Sequence, residues 1–435
     1  MKTRPVGRSR PWPLRSADKP RAARSVPTPS SAFIPVPTTK CPRSPSVTNQ
    51  YSDALERVIN DVVAPRAAAV DAEATFPAEA AAALGQSGIL GLMSASEVGG
   101  GGLGLAEAAE VIEKLAGTCG STAMVVLMHY AAASVIEAEG PRDVRREIAG
   151  GGHLSTLAFS EAGSRSHFWA PTSTATVTEG GALTDGGAGS VRLDARKSWI
   201  TAAAAADSYV WSSRPLAAPG PMTLWLVHPD AAGLTVAGGF DGLGLRGNGS
   251  VPVTAEGVVV SSDAMLGADG AGLDVAMVTA LPTFLVLSAA FSLGLMEAVT
   301  AEASAHLSTT RLEHLNQTLV QQLSPRLDLA RLRVTTDTVR AFLADTLSAL
   351  ATGRADAMLR VLEVKAVAGE AAARVTDTAM KVCGGAAFRK ELGIERRMRD
   401  SLAARVMAPT TDALYDFVGR AISGLNLLGD PDVAS

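Results

Sequence analysis

Apolar residues recur every three to four positions over residues 51–63, at Leu55, Val58, Ile59, Val62 and Val63, the spacing of one face of a helix. Residues 78–84 lead to Gly85, and 105–115 and 122–139 continue the helical pattern. After about residue 155 the pattern changes. Short apolar runs at 154–160, 174–178, 190–200, 209–213, 222–227 and 258–260, divided by Gly, Pro and Asp, predict a small antiparallel β-domain. From about 270 the helical period returns over 285–303, 328–350 and 355–382, and long helices with short links predict a bundle. The chain therefore reads as mostly α with a central β-domain. Its expected parts are an N-terminal helical domain (47–155), the β-domain (156–265) and a C-terminal helical bundle (266–435). Residues 275–296 form a 22-residue uncharged stretch, long enough to span a bilayer. Pro282, Thr279, Thr283, Ser288 and Ser292 within it, and the lack of basic anchors close on either side, favour a core helix and no membrane span.

Composition supports this picture. The 435 residues are 47% hydrophobic but only 4% aromatic, which favours closely packed helices. The net charge of −4 is unevenly spread: residues 1–46 hold ten Lys/Arg, ten prolines and a single acid, Asp18, leaving −13 on the rest. An acidic body excludes nucleic acid as an expected partner. The basic, Pro-rich head cannot bury apolar surface and is expected to be disordered. It reads either as an organelle-targeting segment or as the product of a start assigned upstream of about Val47. Cys41, Cys119 and Cys383 have no disulfide or metal spacing, no metal site is expected, and a reducing cytoplasm is the default. The run Gly99-Gly100-Gly101-Gly102 is not followed by Lys-Ser/Thr and is a loop between helices rather than a phosphate cradle.

Four stretches carry a stronger signal. They are Glu97-Val98-Gly99-Gly100-Gly101-Gly102-Leu103-Gly104, Ala158-Phe159-Ser160-Glu161-Ala162-Gly163-Ser164-Arg165-Ser166, Lys197-Ser198-Trp199-Ile200-Thr201, and Lys381-Val382-Cys383-Gly384-Gly385-Ala386 followed by Arg396-Arg397-Met398-Arg399-Asp400. Read alone, Lys197 to Thr201 is equally a buried strand Trp ending in a Thr turn. Together the stretches resemble the acyl-CoA dehydrogenase superfamily over nearly everything after residue 50. The resemblance implies FAD as cofactor, with FMN as second choice. It implies flavin contacts from Phe159, Ser160, Ser166, Trp199, Ile200, Thr201 and Thr410, with Trp199 against the ring and Thr201 at its N5 edge. Arg311 and Gln322, with Gly384 and Gly385, resemble the residues that hold the dinucleotide across a subunit contact; without the family, Arg311 is an ordinary helix-end charge. Lys381 stands where the family has Gln. The resemblance also implies that the C-terminal bundle has four helices, and that the protein is a homotetramer.

The departures concern chemistry. Ala408-Pro409-Thr410 stands where the family often has Glu-Gly-Thr, so the carboxylate that removes a proton next to a thioester carbonyl is missing, although the Ala408 N–H remains. The alternative position of that base falls near Phe284, which is no acid. The acid-x-x-Arg motif for the CoA arm is absent from 281–285, Leu-Pro-Thr-Phe-Leu. Asp412 is the nearest carboxylate, as a relocated base or a charge beside a helix dipole. His129, beside Tyr130, is an acid/base candidate or a structural histidine. Three functions follow: an oxidoreductase acting on the CH–CH group of an acyl thioester, with electron-transfer flavoprotein as partner; a reduced-flavin-dependent monooxygenase served by a flavin reductase; or a non-catalytic flavin or acyl-group binding protein.

Overall fold

Helices open and close the described chain, and strands occupy its middle. The computed structural model describes residues 45–164, 167–178 and 189–428. The basic head up to residue 44, and Ser166 among the expected flavin contacts, lie outside these. The first helical region holds α1 (Pro45–Val58), a π-turn over Ile59–Val63, α2 (Ala64–Glu73), α3 (Ala78–Gln86), α4 (Leu105–Thr118), α5 (Gly120–Glu139) and α6 (Arg142–Ala149). The stripe read over 51–63 is buried at Leu55, Ile59 and Val63.

Among the described residues eight strands follow: β1 (Ser155–Ala158), β2 (Thr174–Val177), β3 (Ser190–Ile200), β4 (Ser208–Ser213), β5 (Thr223–Val227), β6 (Leu234–Val236), β7 (Val251–Ser261) and β8 (Met265–Leu266). They form two four-stranded sheets, in the orders β1-β4-β5-β8 and β2-β3-β7-β6. Leu193, Trp211, Trp225, Val253 and Val258, from both sheets, share one apolar core. Eleven-residue β3 alternates buried Val191 and Leu193 with exposed Arg192, the two-residue period expected of a half-buried strand. Two expectations are corrected. The β-domain is not wholly antiparallel, because β1 pairs with β4 in parallel. The run read at 258–260 is only the end of β7, whose earlier half contains Pro252 and Glu256 and lacks a continuous apolar signal.

The last region holds α7 (Gly272–Val278), α8 (Ala280–Thr309), a two-strand turn of β9 (Arg311–Leu312) and β10 (Gln317–Thr318), then α9 (Leu323–Thr352), α10 (Ala357–Cys383), α11 (Ile394–Ser401), α12 (Ala403–Val406) and α13 (Thr411–Ile422). Helix α8 is apolar on every side and continuously buried from Ala280 to Met296, as a helix with no solvent face must be. It packs against α4, α5, α9 and α10. Two helical stretches are long and apolar enough to cross a membrane, Gly120–Glu139 and Gly272–Thr309, and each is 78% buried over its most apolar part. Because α5 packs on both β1 and α8, the first sheet, the first helical region and the bundle meet along one line.

Candidate functional site

Two of the sequence motifs meet through a buried ion pair. Lys197 on β3 donates from Nζ to Glu161 Oε1 at 2.5 Å, and to Ser212 O and Oγ at 2.7 and 2.9 Å. Glu161 also accepts from the Thr172 N–H at 2.5 Å, the Ser173 N–H at 3.0 Å and both hydroxyls. Burial opposes charge on both groups. It takes Lys197 down to about 8. Glu161 nonetheless falls to about 2, because Lys197 and the hydroxyls favour its ionised form. The carboxylate carries the more complete set of partners, so the charged pair is the state at neutral pH.

This pair sets Ser160 beside Trp199. Glu161 bridges Lys197, and the Ser198 N–H donates to Ser160 O at 3.0 Å. The ladder of β3 on β7 then slips between Lys197 and Ile200, and Trp199 adopts φ 59°. Such a bulge re-aims one side chain at a cost in backbone strain. Here it leaves the Trp199 indole 69% exposed, against the reading of a buried strand tryptophan. Ile200 turns inward and is buried. Thr201 is buried too, its hydroxyl 3.0 Å from that of Ser250.

Trp199, Phe159 and Ser160 form one wall of a cleft whose empty space, open solvent included, is about 540 Å³. The remaining lining comes from Met128 and Leu157, Phe168, the α7–α8 residues Ala276, Ala280, Leu281 and Phe284, and the turn at Ala408 and Pro409. Among the described residues, no acid, base or thiol lines it. Phe168 stacks edge-on against Trp169, whose ring lies 5.2 Å from that of Phe417. The sequence reading missed Met128, Leu157 and the α7 contribution, which carry no chemical signature.

The turn at the lost base position is held from behind. Ala408 is joined to Pro409 by a cis peptide, and its N–H has no acceptor among the described residues. Thr410 caps α13, its hydroxyl accepting from the Ala413 N–H at 3.3 Å. Asp412 lies exposed in the first turn of α13, where the helix dipole favours a carboxylate, and it is absent from the cavity wall. Lys365 of α10, which sequence reasoning passed over, is fully buried and donates to Ala404 O, Met407 O and Pro409 O at 2.9, 3.0 and 2.8 Å. Burial pushes its pKa down to about 7, while three carbonyls, which can only accept, favour the ammonium. The signal was a lysine on the buried stripe of Val361, Leu362, Val364 and Ala368.

Of the two readings of His129, its surroundings match the structural one. Its Nε2 meets Leu90 O at 3.1 Å, and its Nδ1 accepts from the Ser155 N–H at 3.1 Å. Burial lowers its pKa to about 4. Successive helical residues point about 100° apart, so Met128 faces the cavity while His129 ties α5 to β1.

The second expected group stands apart from this wall. Arg311 bonds the Asn316 side chain, and Gln322 donates to Gln317 Oε1 at 2.5 Å; both belong to the turn after α8. Gly384 takes φ 57°, and a Cβ at Gly384 or Gly385 would meet nothing within 4 Å, so this backbone is open to a neighbour. Lys381 pairs with Asp328 at 3.0 Å, which accounts for its ammonium.

Comparisons with known proteins agree with this geometry. Residues 47–151 match the family described as acyl-CoA dehydrogenase, N-terminal domain, and residues 270–423 match acyl-CoA dehydrogenase, C-terminal domain. Cyclohex-1-ene-1-carbonyl-CoA dehydrogenase of Geobacter metallireducens is 25% identical over 85% of this chain and 96% of its own. The butyryl-CoA dehydrogenase structure from Megasphaera elsdenii superposes with a TM-score of 0.80 at 20% identity, covering 88% of this chain and 100% of the other. The FAD complex of PigA superposes with a TM-score of 0.78 at 18% identity, over 90% and 100%.

Proposed function

The chain belongs to the acyl-CoA dehydrogenase superfamily, a family of FAD-dependent oxidoreductases, and from that premise we propose that it acts on an uncharged, apolar acyl thioester at the cavity beside Trp199. The observation that carries this reading is the lining: apolar side chains, the exposed Trp199, Ser160 and Ala408, with no ionisable side chain among the described residues.

The residues fit a flavin. An indole 69% exposed on a left-handed backbone has little to gain from the fold itself, and a planar ring stacked on it would cover that apolar face. Phe159, Ser160 and Trp199 would hold the ring. When bound, the flavin supplies a hydride acceptor.

The Ala408 N–H donates to the thioester oxygen, stabilises charge that develops there and so acidifies the adjacent C–H. The apolar wall excludes water and strengthens that bond. A general base is worth about 10²–10⁴-fold, and among the described residues the cavity presents no side chain that serves as one. Dehydrogenation is therefore expected to be slow in this chain unless a second subunit supplies the group. Electron-transfer flavoprotein is the partner for this reaction.

The same lack of a base favours a second reading, oxygenation of an apolar substrate with reduced flavin supplied by a reductase. Anaerobic titration of the yellow protein with a panel of acyl-CoA thioesters separates the two. Bleaching of the visible band supports the thioester reading. No bleaching with any chain length, together with an oxygenated product that requires added reductase and O₂, overturns it in favour of the second.

A further inference from the structure

Lys365 has no carboxylate partner among the described residues, and its three N–H bonds go to three main-chain oxygens, those of Ala404, Met407 and Pro409. The Met407 oxygen matters most, because the same peptide unit carries the Ala408 N–H. That peptide is trans, since the Ala408–Pro409 bond is the cis one. In a trans peptide the C=O and N–H point in opposite directions. Fixing the Met407 oxygen on Lys365 therefore turns the Ala408 N–H away from α10. Ala408 and Pro409 line the cavity, and the N–H that results has no acceptor among the described residues. A cation on the carbonyl side also polarises the peptide and makes its N–H a stronger donor. Lys365 lies 5.8 Å from the ring centroid of Phe284, another cavity residue, so its charge sits one side chain behind the wall.

We infer that Lys365 is a positioning residue: it locks the Met407–Ala408 peptide with its N–H facing the cavity and strengthens that N–H as donor to the carbonyl oxygen of a bound acyl thioester. This rests on the thioester reading given above. Without the lysine, a peptide between a short helix and a proline is free to rotate, and the donor is lost while the cavity keeps its shape.

The test uses the FAD-loaded full chain and an enolisable 3-oxoacyl-CoA as probe, whose bound enolate is followed by ultraviolet absorption against pH. An N–H that stabilises the oxyanion lowers the pH at which the enolate forms, relative to the free thioester. Lys365→Met is expected to raise that pH by about one unit, a tenfold change, with circular dichroism and flavin content unchanged. Ala408→Pro removes the N–H itself and is expected to do the same with Lys365 in place; Met407 at φ −67° and ψ 133° already suits a residue before proline. If Lys365→Met fails to fold, Lys365→Gln, which keeps two N–H donors, is judged by the same shift. Wild-type binding with a lowered enolisation pH that the lysine variants leave unmoved overturns the inference alone. A wild type that binds no thioester overturns the functional reading, and the inference with it.

Discussion

Glu161 and Lys197 lie 36 residues apart, and each stood inside a recognisable motif, yet nothing in the sequence said that they pair. Linear distance hides partners that only the sheet brings together. Replacing Glu161 with Gln strands a buried ammonium, which costs about 3–5 kcal/mol, so Glu161→Gln is expected to lower the denaturation midpoint by a corresponding amount in urea titrations. The wild-type pair also fixes a pH response. The carboxyl of Glu161 titrates near 2 when folded against an ordinary value of 4.5. Its stabilisation is therefore complete above about 4.5 and is lost as the pH falls towards 2. Glu161→Gln should flatten that limb of the stability profile. At Ala408 the sequence was more informative, because a methyl where a carboxylate belongs is visible without coordinates. Ala408→Glu is expected to speed anaerobic flavin reduction by acyl-CoA by about 10²–10⁴-fold, read by stopped-flow absorbance. An unchanged rate would mean that proton removal does not limit the wild type.

Strands and helices were legible where a period persisted. The boundaries of β3 came directly from its alternation, whereas three-residue β6 is too short to show a period, and most of β7 was missed because Pro252, Thr254 and Glu256 break the apolar run. The parallel pairing of β1 with β4 was not legible either, since register and direction depend on what each strand packs against. Helix α8 read correctly as core. Its crossing with α4 was invisible, because it rests on a glycine. A Cβ at Gly294 would stand 2.1 Å from Glu113 O and 3.0 Å from the Ala116 Cβ. Both neighbours belong to another helix and neither is a flexible side-chain tip. Gly294→Ala is expected to push the helices apart and destabilise the protein by about 1–3 kcal/mol, seen as a lower thermal midpoint with little change in helical circular dichroism.

The cavity belongs to no single part of the molecule. Met128 comes from α5, Leu157 from β1, Trp199 from β3, Ala276 and Phe284 from α7 and α8, and Ala408 from the turn before α13. That explains why a motif search found one wall and missed the other: apolar contacts from distant elements carry no signature. It also makes the cofactor a reporter of the whole fold. Loss of bound flavin and loss of helical signal are expected to coincide on heating, and added FAD to raise the common midpoint by mass action. Flavin release well below the helical transition would mean that the wall opens independently of the bundle.

Among the described tryptophans, Trp211 and Trp225 are sealed in the β-domain and Trp169 is half-buried, whereas Trp199 stands 69% exposed at the cavity mouth. Its emission should therefore lie to the red of theirs, and a yellow chromophore seated against it should quench that component first. Titrating apoprotein with FAD while exciting the indoles gives a binding curve without any substrate, and Trp199→Phe removes the red component and most of the quench together.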